Sequence, residues 1–449
     1  MCAVSCLFCG CMVLIYSHTT SPRLQYSCYF IFKELLGIDF AITIDSEEFK
    51  NYEGVKINYS NQQFQFSTFN ITPHSLLFET EIKAQQINCF ENTGYKAFFK
   101  ITDADFTFDI FAATFYLLSR YEEYLPHTKD RYGRYAHENS LAFKEGFLQL
   151  PLINIWVKNF VTEIKKKYPI FNIQCSMFNF VPTYDIDIAF SYKYKGLLRN
   201  IGGFLQSPSL QRIKVLLGLQ KDPFDVYSWL NDLHQRNKLQ PIYFFLVAEK
   251  NSQYDKNILP HKDAMWQLIK QHAKKYLAGI HPSWQSGDDE KLLNNEIKQL
   301  QAMAEGSSIN HQPSTINCSR QHYIRFNLPE GYQKLIEAGI TEDYSMGYGS
   351  INGFRASVAS SFFWYDLQHE LQTDLRIHPF CFMDANSFYE QQFSAAQAYK
   401  EMMHYYKICN EVNGTLITIW HNNFLGSAKE FEGWKEVYEQ FIGVVSREM

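Results

Sequence analysis

From residue 176 onward the chain alternates short apolar runs with amphipathic stretches, and this rhythm constrains the fold more than any other feature. The apolar runs are 178–184, 241–248, 276–281, 315–319, 353–356, 376–383 and 415–420. Between them, 226–236, 262–275, 288–304, 332–338 and 395–412 carry apolar residues at helical spacing. Short apolar runs separated by helices read as strands, and strands that alternate with helices pair in parallel. The expected architecture is α/β, either a barrel or a doubly wound sheet. In both, functional side chains gather beyond the C-terminal ends of the strands.

Upstream, residues 12–176 lack this rhythm and read as a smaller mixed α+β domain. Strands are expected at 12–16, 55–59 and 64–69, and a helix at 22–36. An amphipathic helix is expected over 109–124, ended by Pro126, then a polar loop at 127–139 and an apolar docking segment with a helix at 146–160. Residues 1–11 read as an extension with no role in the fold. They hold Cys2, Cys6, Cys9 and Cys11, but no second ligand pair follows at the spacing a zinc knuckle needs. Cys28, Cys89, Cys175, Cys318, Cys381 and Cys409 are scattered in apolar contexts, as buried free thiols are in a reducing compartment.

The apolar stretch 3–16 is shorter than the roughly 20 residues a membrane-spanning helix needs. No Lys or Arg precedes it, so it is also a poor secretory signal, and a cytoplasmic location without a transmembrane segment is expected. A net charge of -5 and a pI near 6.3 argue against nucleic acid as a partner.

Titratable residues sit at successive strand ends. The first run closes on Asp185 and Asp187, the third on His281, and the fourth on Arg320 and His322. Arg355 lies in the 353–356 run, Asp384 follows Met383, and His421 follows Trp420. Each alone reads equally well as a turn, a cap or a satisfied core residue. Together they suggest one shared rim suited to metal-assisted hydrolysis, with carboxylate and imidazole ligands, a separate base and a distal acid.

Residues 177–425 resemble the polysaccharide deacetylases, the NodB-homology superfamily of metal-dependent carbohydrate esterases. The resemblance rests on Thr183-Tyr-Asp185-Ile-Asp187, Ile280-His281-Pro-Ser, Gly353-Phe-Arg355-Ala and Leu416-Ile-Thr-Ile-Trp-His421. The whole chain is similar to a Bacteroidetes branch of that superfamily. That branch carries a mixed N-terminal domain with a Leu-Leu-Ser-Arg-Tyr-Glu-Glu helix, here 117–123.

The resemblance implies a distorted (β/α)7-type barrel over 177–449. It also implies a carbohydrate deacetylase, acting on a linear amide or an ester. Asp185 is then the base and Asp187 a metal ligand with His281. Arg320 or Arg355 holds the base, His421 is the acid, and Asp384 orients a His or an Arg. Trp284, Tyr323 and Trp420 are candidates for stacking on a sugar ring.

The superfamily's second motif has a second His four residues after the first, where this chain has Gln285. His322 is the preferred replacement, because imidazole suits zinc better than an amide does. The implied cofactor is a divalent ion: zinc, or else cobalt or iron. The implied partner is a carbohydrate, for which a lipid- or nucleotide-linked precursor fits a cytoplasmic enzyme. Gln285 also keeps open a degenerate member that binds glycan without turnover. A third reading is an amidase acting on a non-sugar amide.

Overall fold

The computed structural model describes residues 13–171, 173, 177–305, 308–309, 312–313 and 316–447. The cysteines expected in the extension, and Cys175, lie outside the described residues.

The first sheet contains β1 (Val13–Tyr16), β2 (Phe40–Thr43), β3 (Val55–Asn58) and β4 (Phe69–Asn70), in the order β2-β1-β3-β4. All three pairings are parallel, an α/β arrangement rather than the α+β expected. The helices on either side of β2, which begin at Pro22 and Ser46, supply the crossovers that parallel strands require. Of the run 64–69 only Phe69 enters the sheet. Phe64 and Phe66 instead pack with Leu14, Tyr16 and Phe49 in a small second core.

The expected helix 109–124 is an α-helix only over Ile110–Leu118. Every residue of it is buried, and Asp109 caps it by accepting from the Ala112 N–H. The Ser119 hydroxyl donates to the Phe115 carbonyl, and Arg120 takes a left-handed φ of 55°, which ends the α-helix. A short 3-10 turn, Tyr121–Tyr124, follows. A hairpin of β5 (Phe90–Asn92) and β6 (Tyr95–Ala97) completes the strands of this half.

The second sheet has nine strands in the order β14-β15-β13-β12-β9-β8-β7-β17-β16. They are β7 (Asn179–Ile186), β8 (Ile242–Phe245), β9 (Leu277–Ile280), β12 (Cys318–Ser319), β13 (Glu342–Asp343), β14 (Phe362–Asp366), β15 (Leu371–Ile377), β16 (Phe382–Met383) and β17 (Thr415–His421). β10 (Ser308–Ile309) and β11 (Gln312–Pro313) form a separate hairpin. Every neighbouring pair in the large sheet is parallel except β14 with β15.

The sheet is curled. Flat, β12 and β16 would lie five strand spacings apart, about 24 Å. Yet the guanidinium of Arg320, just past β12, is 5.9 Å from the ring of Phe380, just before β16. The expected run 376–383 divides at this point. The chain leaves β15, crosses the open side of the half-barrel and enters β16. On the way the Phe380 N–H donates to Met346 O (3.1 Å) and the Cys381 N–H to Ile417 O (3.4 Å). The result is a nine-stranded curled sheet with an antiparallel edge, not a ring of seven.

The run 353–356 is not a strand. The Gly353 and Phe354 N–H groups donate to Cys381 O and Leu148 O, so the segment is stapled between two loops. Gly353 has a φ of 145°, and a Cβ there would lie 2.7 Å from Leu148 Cγ, so no other residue fits. The two sheets share one apolar core, in which Val13, Phe111 and Trp156 belong to the same cluster as Phe244, Phe380 and Trp420.

Candidate active site

β7 carries Asp185 near its C-terminal end, and Asp187 stands just beyond the strand. Asp185 is buried and accepts from Nη1 of Arg320 at 2.9 Å. Arg320 is fully buried as well. It donates through Nε to Tyr344 O and through Nη1 to the Thr183 hydroxyl, and it lies 4.4 Å from the Phe244 ring centroid. A guanidinium held by strand and loop partners fixes the carboxylate beside it.

Arg355, the other candidate for that role, is elsewhere. It is buried and clamps Glu123 through Nε and Nη2, at 2.8 and 2.5 Å. The 353–356 segment faces the upstream half rather than the rim, so Arg355 found its carboxylate there.

Three imidazoles converge on Asp187. Nε2 of His281 is 3.0 Å from its Oδ1, while Nε2 of His322 and Nε2 of His421 are 3.4 and 3.5 Å from its Oδ2. Each ring is held from behind through Nδ1. His281 donates to Arg320 O at 2.5 Å, His322 to Asp255 at 3.0 Å and His421 to Asp384 at 2.7 Å. The partners are acceptors, so they hold a proton on Nδ1 and turn Nε2 towards the centre. Asp384 also accepts from the His421 N–H, which locks the ring's backbone.

These charges shape each other. Burial works against ionisation of Asp187, but His322 and His281 outweigh it and hold the carboxyl well below the ordinary range. Burial alone would depress His322, yet Asp187 and Asp255 lift it to about 9. Against the same burial, Asp384 and then Asp187 lift His421 to about 10.

Asp187, His281 and His322 each offer a ligand atom, all within 4.8 Å of one another. The donor set fits a divalent metal. Buried Oδ1 of Asp187 accepts no hydrogen bond, although His281 Nε2 is 3.0 Å away. Lone pairs set against lone pairs at that distance are satisfied by a cation between them. Anchored Nδ1 atoms are the usual support of a histidine ligand. His322 thus stands where the third ligand was sought, and Gln285 does not line the cavity.

That cavity has a volume of about 420 Å³. Its wall includes Asp185, Asp187, His281, His322 and His421, together with Tyr323, Tyr389 and Asn423. From the upstream half, Arg131, Tyr132 and Arg134 of the polar loop reach it too.

Of the three stacking candidates only Tyr323 lines this wall. Trp284 is engaged by protein: Tyr254 stacks on it at 4.0 Å, and the Arg325 guanidinium lies 4.5 Å from its ring. Trp420 is fully buried, packed on Tyr438 at 4.4 Å. Its side chain alternates away from the rim along β17, so stacking on a ligand is ruled out.

Asp255 escaped the sequence reading. It lies in the polar loop after β8, the strand end to which no titratable residue was assigned. In a curled parallel sheet that end also opens on the rim, and this was the available signal.

Residues 13–169 match the family described as DUF7033, a family of unknown function. No curated protein matches the chain by sequence. Among solved structures, the chain is similar to a protein assigned as a polysaccharide deacetylase from Mycobacterium smegmatis. That match has 12% identity and a TM-score of 0.38, covering 60% of this chain and 84% of the other. It is also similar to one so assigned from Pseudomonas aeruginosa PAO1, with 11% identity and a TM-score of 0.36, covering 61% and 90%.

Proposed function

We propose that the chain is a metal-dependent hydrolase that removes an acyl group, most simply acetyl, from a sugar or glycan precursor. One observation carries the reading. Three imidazoles anchored through Nδ1 turn their Nε2 atoms towards Asp187, and a second carboxylate, pinned by Arg320, stands beside them.

In this reading Asp187, His281 and His322 hold a divalent ion, zinc by ligand type. Such an ion supplies Lewis acidity towards an acyl carbonyl and makes water a better nucleophile at neutral pH. Asp185 accepts the proton of the attacking water. Arg320 keeps that carboxylate aimed. His421 carries a proton that Asp384 and Asp187 hold on the ring, and it gives this proton to the leaving nitrogen or oxygen. Residues 177–449 carry this chemistry. The upstream residues 12–176 act as a cap, with Tyr132 and Arg134 closing one side of the cavity.

The test is divalent metal per chain, by elemental analysis of protein purified without a metal-affinity tag. The expected result is about one ion per chain, lost in Asp187→Ala and in His322→Ala, with acetate released from acetylated sugars by the loaded enzyme. A chain that takes up no metal even after reconstitution would overturn the hydrolase and leave a glycan-binding protein.

A further inference from the structure

The crossover that leaves β7 carries a feature that the hydrolase reading does not use. Between Lys193 and Lys221 the chain has six cations (Lys193, Lys195, Arg199, Arg212, Lys214 and Lys221) and no Asp or Glu, in a protein of net charge -5. The segment forms two helices, Leu197–Gln206 and Leu210–Leu216. Both present apolar side chains to solvent. Leu197, Leu205, Leu210 and Leu219 are 74–77% exposed, and Leu217 is 68% exposed. In the first helix Leu197, Ile201 and Leu205 share one stripe at a spacing of four. In the second, Val215 is the buried residue, and Leu210, Ile213 and Leu217 lie on the far side of the helix from it.

The exposed face is therefore a consequence of how the hairpin is tied down. Asp222 is buried and accepts from the N–H groups of Ser191, Tyr192 and Lys193, at 2.7, 2.9 and 3.0 Å, which closes the base. Arg212 Nη1 donates to Asn200 O and joins the two helices. Arg199 Nη2 donates to Lys256 O, next to the Asp255 that orients His322. The polar contacts face the protein, and the leucines face away from it.

We propose that residues 193–221 are a docking element for an anionic lipid bilayer, with the leucines laid into the interface and the exposed Lys214 against the headgroups, while Arg199, Arg212 and Lys221 stay engaged with the protein. Leucines on one side and lysines with arginines on the other are what an interfacial helix requires. The charge selects the occupant. A second copy seated on this face would set two segments with no acidic residue against each other, whereas acidic headgroups complement both. Among the described residues no helix is long and apolar enough to cross a membrane, so the contact is peripheral. The proposal is independent of the hydrolase, because partition onto vesicles is read without turnover.

The full chain is to be sedimented with vesicles of phosphatidylcholine alone and of phosphatidylcholine mixed with phosphatidylglycerol. Binding is expected only to the anionic vesicles, weakening with added salt. Each lost charge should lower the partition coefficient roughly fivefold, so Lys214→Glu, a change of two charges, should lower it roughly 25-fold. Leu205→Glu combined with Leu217→Glu should abolish binding. These side chains face solvent, so unaltered thermal melting is expected and verifies folding. Three results would overturn the proposal: no partition onto anionic vesicles, partition unchanged in both variants, or a dimer in sedimentation velocity that the leucine substitutions dissolve.

Discussion

The change Glu123→Gln tests how the upstream half is fastened to the curled sheet. Glu123 is buried and accepts from Arg355 and from Arg120, both buried too. Arg120 is further held by Glu122 at 2.8 Å, with Tyr348 within reach. Glutamine keeps the shape and removes the charge, which leaves Arg355 without an anion. Breaking one partner of a buried ion pair costs about 3–5 kcal/mol. A second route gives a similar figure. Burial opposes the Glu123 charge, but Arg355 and Arg120 outweigh it and bring the carboxyl from 4.5 down to about 2. At 1.36 kcal/mol per unit this contributes about 3 kcal/mol of stability at neutral pH. The folded value is depressed, so the contribution is present above the unfolded value. It is lost as the pH falls through the folded one, between about pH 5 and pH 2. At about 2.1 cal/mol/K per residue the unfolding entropy of 449 residues is about 0.9 kcal/mol/K, so 1 kcal/mol moves Tm by about 1 °C. Thermal melting followed by circular dichroism should therefore show a Tm about 3 °C lower at pH 7. The gap should narrow as the buffer is acidified. Adding Arg355→Met should recover part of the loss, because it removes the orphaned cation. A Tm within about 1 °C of the parent at pH 7, with the same acid slope, would refute the argument.

Three further outcomes are expected. Asp255→Asn should weaken zinc binding about 10–100-fold in chelator competition, since it loosens the ring of His322 without touching a ligand atom; unchanged affinity would remove Asp255 from the site. His421→Gln should lower kcat about 10²–10⁴-fold while bound metal stays at the parental ratio. Loss of metal in that variant would make His421 a ligand rather than the acid. Trp420→Ala should cost about 3–5 kcal/mol of stability by opening a cavity against Tyr438, and in the milder Trp420→Phe the KM should not move. A raised KM there would return Trp420 to the sugar site.

Much of the large sheet was legible because its strands are apolar runs of ordinary length between helices. β13 was missed, being two residues long and too short to show a pattern, whereas β12, equally short, was read as the end of the run 315–319. β14 was missed because an antiparallel edge strand does not share the rhythm of the parallel units. The run 353–356 misled for a different reason. Its composition suits a strand, but Gly353 holds a backbone conformation that no ladder provides, and the loops at Leu148 and Cys381 take its hydrogen bonds. The site residues Asp185, Asp187, His281, Arg320, His322 and His421 could be gathered from the sequence because one rule, strand ends meet at one rim, applies to them all. Arg355 and Trp420 satisfied the rule in sequence and failed it in space. The first lies on no strand, and the second lies on a strand with the opposite parity.

Gln285 stands where the resemblance implies a histidine, and geometry adds most to the motif there. A pair of ligands four residues apart on one turn of chain brings two side chains to about 5–6 Å. Neighbouring parallel strands stand about 4.8 Å apart, so two side chains from adjacent strand ends meet at the same separation. β9 and β12 are such neighbours, paired through Ile280 and Ser319, and His281 and His322 follow them with ring centroids 4.9 Å apart. A histidine in the loop after β12 therefore stands about as far from His281 as one placed four residues along would. What it needs is a new support for the ring, and Asp255, from the loop after β8, stands behind His322. Restoring the usual spacing with Gln285→His should thus leave metal affinity unchanged in the parent and should not rescue His322→Ala. A rescued His322→Ala would mean that residue 285 can reach the metal in place of His322.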